Sequence, residues 1–202
     1  VSKPLQPRNL PSQKRSIARQ EQILEVAGEL LEKLGPAALT TIRIAEEVGI
    51  SVGTLYHYFP NKEAILHAMG QRWLQQMANT LTQDEHYSPA TLQEFVELFV
   101  NHMHQLYRKQ RGLLHLVQGM FAIPQLMTLD EQHDELVINH VANRLEKLGV
   151  PLPLSERQRI GRTFHETSHA LLLVVVNQSK PRGSKTLEEL KRMLHTLAQS
   201  LP

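Results

Sequence analysis

With 202 residues, 22 Lys and Arg against 20 Asp and Glu, and no cysteine, the chain is long enough to bury a core without covalent staples, and disulfides, thiolate catalysis and cysteine-held zinc are excluded. The opening VSKPLQPRNLPSQKR is too polar and Pro-rich for a signal peptide, and the longest apolar run, ALLLVVV, is too short to span a bilayer; a soluble, cytoplasmic protein with no membrane contact is expected. The net charge of +2 hides an uneven distribution, because Lys3, Arg8, Lys14, Arg15 and Arg19 meet no acid before Glu21, a basic arm suited to phosphate if a DNA-reading element follows and otherwise a solvated tail.

Pro4, Pro7 and Pro11 keep the beginning extended, and then Ile23, Leu24, Ala27, Leu30, Leu31 and Leu34 recur at helical spacing until Gly35 and Pro36 end the pattern. A second helix is predicted from about Thr41 and a third from about Ser51. A fourth follows PNK, where Asn61 caps a run containing Ala64, Ile65, Leu66, Met69, Trp73 and Met77. Further helices are predicted at about 89–110, 112–122, 130–149, 155–178 and 184–200, with breaks at Pro89, Pro124, GVPLP and KPRGS. LLLVVV is β-prone alone but sits inside a longer helical pattern, so the fold class is all-α.

Residues 40–62, TTIRIAEEVGISVGTLYHYFPNK, have a mechanical reading. Thr41 opens a helix with Ile44 and Val48 on its inner face, and Ala45 is small enough for a close crossing. Gly49 permits the turn, Ile50 plugs the space beneath it, Ser51 caps the next helix, and Leu55 with Tyr58 packs that helix back. This is a helix-turn-helix, whose second helix offers its outer face to the major groove. Val52, Gly53, Tyr56 and His57 face outward with Thr54 at the edge: Gly53 admits close backbone approach, Val52 suits a thymine methyl, and the Tyr56 hydroxyl can donate to phosphate. Lys62 begins the following helix, where free N–H groups and the helix dipole favour an anion.

The stretch LTTIRIAEEVGISVGTLYHYFPNKEAIL resembles the DNA-binding region of TetR/AcrR-type transcriptional regulators, with the specific match over about residues 20–66. The resemblance implies residues 1–61 as a basic arm and helix-turn-helix domain, and 62–202 as a helical effector-binding and dimerisation domain. It also implies a homodimeric repressor, less often an activator, that leaves a palindromic operator in double-stranded DNA when a small molecule binds. Thr41, Lys62, Tyr56 and His57 would then meet phosphates, and Arg43, Val52, Gly53 and Thr54 would lie at or near the bases. The dimer would form through the last two helices, about 155–178 and 184–201, the latter carrying Leu187, Leu190, Leu194, Leu197 and Leu201. Trp73, Phe99, Met103, Met120 and Phe121 are candidate walls of a lipophilic effector pocket, although a methionine and aromatic stripe equally fills a core.

One motif points elsewhere. HETSH, residues 165–169, matches H-E-x-x-H, in which two histidines one turn apart hold zinc and the glutamate acts as base. A catalytic zinc wants a third protein ligand, and His102, His104 and His115 are donors that sequence cannot place. The motif also lies on the helix that resembles the family's dimerisation and pocket helix. His165 and His169 are therefore expected as satisfied or interfacial histidines, or as polar contacts in the effector pocket, with no metal, no cofactor and no enzymatic activity. The competing readings are a helical zinc-dependent hydrolase using His165, Glu166 and His169, and a helical protein-interaction module that does not bind DNA.

Overall fold

The computed structural model describes residues 14–35, 38–120 and 123–202. Among these the regular structure is helical: α1 (Lys14–Leu34), α2 (Thr41–Val48), α3 (Val52–Tyr58), α4 (Lys62–His86), α5 (Leu92–Lys109), a 3-10 turn at Arg111–Leu113, α6 (Leu114–Val117), α7 (Met127–Lys147), α8 (Leu154–Asn177) and α9 (Lys180–Gln199). The basic residues expected in the arm at positions 3 and 8, and Pro36, fall outside the described residues.

Helix ends follow local chemistry. Gly35 takes φ 75° and returns its N–H to the Leu31 carbonyl at 2.9 Å, closing α1 as a left-handed terminator does. Thr91 caps α5 by accepting from the Glu94 N–H, while the Glu94 carboxylate accepts from Ala90, a reciprocal arrangement in the manner of a capping box. KPRGS, expected as a break, instead forms the first turn of α9, with Pro181 in its first two positions; a proline there removes only an N–H that lacks an intrahelical acceptor anyway.

The chain divides into two compact units. The first comprises residues 1–74 and 111–130, and the second 75–110 and 131–202, so α4 contributes to both. In the first unit α1 contacts α2, the 3-10 turn and α6, and Ile23, Ala27, Leu31, Leu39, Ile44, Leu55, Ile65 and Met69 are fully or almost fully buried. Gly112 makes one of these approaches possible, since a Cβ there would lie 2.7 Å from the Gly28 carbonyl oxygen.

In the second unit α5, α8 and α9 contact one another. Phe95 and Phe99 on α5 form an aromatic cluster with Phe164 on α8, with ring centroids 5.9–6.2 Å apart. Gly161 brings α8 onto α7, where a Cβ would fall 2.5 Å from the Ile138 carbonyl oxygen, and Gly183 does the same for α9 on α8, at 2.8 Å from the Val175 carbonyl oxygen.

Candidate functional site

The 40–62 segment folds from its caps outward. Thr40, one residue before the predicted start, caps α2 by accepting from the Arg43 N–H at 3.2 Å. Gly49 adopts φ 73° at the turn, and Ser51 caps α3 by accepting from the Thr54 N–H at 3.0 Å. Ile44, Ala45, Val48 and Leu55 are buried as the pattern requires, and Phe59 joins them at 1 % exposure. Asn61 then caps α4, accepting from the Ala64 N–H at 2.8 Å.

What remains outward matches the expected reading set in part. Arg43, Gly53, Thr54, Tyr56 and His57 are exposed, while Thr41, Val52 and Lys62 are half-buried. The Thr41 and Tyr56 hydroxyls lie 3.2 Å apart, so α2 and α3 present one joint polar point rather than two separate ones. The Thr54 hydroxyl is 2.8 Å from that of Ser51, which ties it to the cap. At Gly53 a Cβ would meet only the Ser51 hydroxyl, at 3.8 Å, so the small residue leaves an open surface rather than relieving an internal clash.

Four of the apolar residues expected to wall an effector pocket are buried. Trp73 and Met120 are buried in the first unit, and Phe99 and Met103 in the second; Phe121 lies outside the described residues. A cleft of about 630 Å3 in the second unit is lined by others, among them Gln76, Asn79, Gln83, Tyr87, His102 and Lys109. It is a polar cleft, and periodicity gave no sign of it because its walls fall on the hydrophilic sides of α4 and α5.

HETSH acquires neighbours that sequence could not place. The His165 Nε2 lies 2.8 Å from Asp134 Oδ1, and His133 Nδ1 lies 3.7 Å from the same oxygen. Arg162 reaches the other Asp134 oxygen at 3.2 Å. Hydrogen bonds from His133 and His165 hold the Asp134 carboxyl far below the usual carboxylate range, against the opposing effect of burial. His169 is paired differently: its Nδ1 lies 2.6 Å from the hydroxyl of Tyr107 on α5. Burial lowers the His169 pKa to about 4, with the nearby His133 and His165 acting in the same direction. Burial also raises that of the Tyr107 hydroxyl, which keeps its proton.

Three findings bear on the hydrolase reading. The residues gathered around His165 are His133 and Asp134, in place of the His102, His104 and His115 considered from sequence. His169 is held by Tyr107. Glu166, the would-be base, is 60 % exposed and paired to Arg162 at 3.3 Å.

The α2–turn–α3 geometry, carried on an otherwise helical chain, defines a helix-turn-helix DNA-binding protein. Residues 23–69 match the family model described as bacterial regulatory proteins, tetR family, and residues 91–197 match the tetracyclin repressor-like C-terminal domain. The chain belongs to the TetR family and is a DNA-binding regulator. It is 31 % identical over 172 residues to a nucleoid occlusion factor SlmA of Pasteurella multocida, covering 81 % of this chain and 80 % of the relative. The corresponding factor of Actinobacillus pleuropneumoniae is 30 % identical over 166 residues, covering 79 % and 76 %. Among solved structures, a TetR transcription regulator from Haloarcula marismortui aligns with a TM-score of 0.74 at 16 % identity, covering 92 % of this chain and 98 % of that one. A TetR regulator from Legionella pneumophila aligns with a TM-score of 0.71 at 20 % identity, covering 94 % and 100 %. These two show the shared fold. Among the described residues no helix is long and apolar enough to cross a membrane.

Proposed function

We propose that the chain is a homodimeric transcriptional repressor of the cytoplasm that binds a palindromic operator and leaves it when a small molecule binds. The observation carrying this reading is the exposed, capped α3 with the Thr41 and Tyr56 hydroxyls side by side at 3.2 Å. Two hydroxyls at one point suit a phosphate oxygen, and Lys62, at the first position of α4, adds charge where helix N–H groups already favour an anion. Thr41, Tyr56, His57 and Lys62 are assigned to phosphates, and Arg43, Val52, Gly53 and Thr54 to the base edges. Family membership supports DNA binding without chemistry, so no enzymatic activity is assigned.

A single short α3 reads too few bases for useful specificity, which is why a dimer on two half-sites is proposed. Selection of bound fragments from a randomised DNA pool tests this. The expected product is a pseudo-palindrome; scrambling one half should remove most of the specific affinity, and equal binding of an isolated half-site by a monomer would exclude the mechanism. Tyr56→Phe and Lys62→Ala should weaken binding across sequences, the lysine change lowering the salt slope by about one. Val52→Gln should change base preference instead.

The named relatives support a second reading, nucleoid occlusion. Mapping of bound sites along the chromosome separates the two: a site beside one or a few genes supports the repressor, and many dispersed sites support occlusion.

A further inference from the structure

We propose that His133 and Asp134 of α7 and His165 of α8 form a binding site for one divalent transition-metal ion of the zinc, cobalt or nickel class. Three side chains from two helices place their donor atoms within 4.8 Å of one another. Two of them are almost completely enclosed, His133 at 3 % and His165 at 5 % exposure, whereas the Asp134 side chain keeps 26 % and leaves a path for an ion to enter.

The donor set selects the ion. Two imidazole nitrogens and one carboxylate oxygen suit borderline divalent metals, whereas Mg2+ and Ca2+ want all-oxygen shells and Cu+ wants sulfur. The spacing agrees. Bonds of about 2.0–2.1 Å at tetrahedral angles separate neighbouring donors by about 3.3 Å. The observed separations from Asp134 Oδ1, 2.8 Å to His165 and 3.7 Å to His133, lie on either side of that value. An ion would replace the proton now shared between His165 and Asp134, pushing that pair apart slightly and drawing His133 in.

An outer support is already present. Arg162 holds the second Asp134 oxygen at 3.2 Å, which orients the carboxylate as outer partners of metal ligands commonly do. Three protein donors leave a fourth position for water or a small ligand. The site does not use the H-E-x-x-H arrangement, since only the first histidine of HETSH takes part and Glu166 is turned to solvent and Arg162. Metal-dependent hydrolysis is therefore no part of the proposal. Nor does the proposal depend on the DNA-release reading, because it is tested without DNA.

The test uses the full chain stripped of metal by chelator and titrated with Zn2+ and Co2+. One ion per chain is expected by calorimetry, together with the intense visible absorption of tetrahedral Co2+ and a rise in thermal midpoint that grows with free Zn2+. Asp134→Asn and His165→Gln should each weaken Zn2+ affinity by more than about tenfold, since losing an outer partner alone costs that much; Glu166→Gln should leave it unchanged. If either ligand variant fails to fold, the histidine ring 15N resonances of the unaltered protein decide, with Zn2+ expected to shift two imidazoles directly. Uptake well below one ion per chain, Co2+ without tetrahedral absorption, or folded variants with unaltered affinity would overturn the assignment.

Discussion

At residue scale, Gly49 and His140 show how one position fixes a property of the whole chain. Gly49 holds φ 73° and a Cβ there would meet nothing within 4 Å, so Gly49→Ala tests backbone strain without a clash. A loss of about 1 kcal/mol is expected in urea unfolding. His140 is 8 % exposed on α7, and burial, assisted by Arg144 and Lys147, lowers its pKa to about 4. The unfolded chain binds this proton near pH 6.5 and the folded chain only near 4. The contribution of His140 is thus complete above pH 6.5 and is lost as pH falls toward 4, by on the order of 1–3 kcal/mol. His140→Gln, which does not titrate, should make the urea midpoint fall less steeply over that window, with the share due to His169 remaining; an unchanged pH profile would show that His140 is not responsible.

At element scale, Gly161 fixes how closely α7 and α8 approach. Its substitution by alanine would force a Cβ against the Ile138 carbonyl oxygen at 2.5 Å, and backbone cannot rotate aside as a side chain can. Gly161→Ala should cost roughly 1–3 kcal/mol, more than alanine at Gly49, and the ordering of the two urea midpoints checks the argument. The helix-turn-helix was legible in sequence because its determinants are local: the caps at Thr40, Ser51 and Asn61 and the turn at Gly49 act within four residues of themselves. The start of α9 was not, because Pro181 reads as a breaker unless the cap at Ser179 is known. The neighbours of His165 were also out of reach, since His133 and Asp134 lie more than thirty positions away on another helix and periodicity carries no information about which faces meet. The same limit applies to the expected pocket, of which Phe99 turns out to meet Phe164 edge-on within the core.

At the scale of the whole molecule, the proposed dimer has specific contact candidates. Val174 on α8 is 43 % exposed and Met193 on α9 is 51 % exposed, large apolar groups in water on two helices that contact each other. Val174→Glu combined with Met193→Glu should convert dimer to monomer in sedimentation and abolish binding to a full operator, while leaving the helical content intact. A dimer that survives both changes would place the interface elsewhere. The discontinuity of the first unit has a different consequence, one that belongs to the order of synthesis. Residues 23–69 carry the family's DNA-binding signature, yet α1 also rests on the 3-10 turn and α6, with Gly112 seated on the Gly28 carbonyl. A ribosome delivers α1 through α3 long before these partners emerge. The nascent DNA-reading unit therefore waits with one side of α1 wet until residues 111–130 arrive, and a fragment ending at residue 74 would remain permanently in that unfinished state.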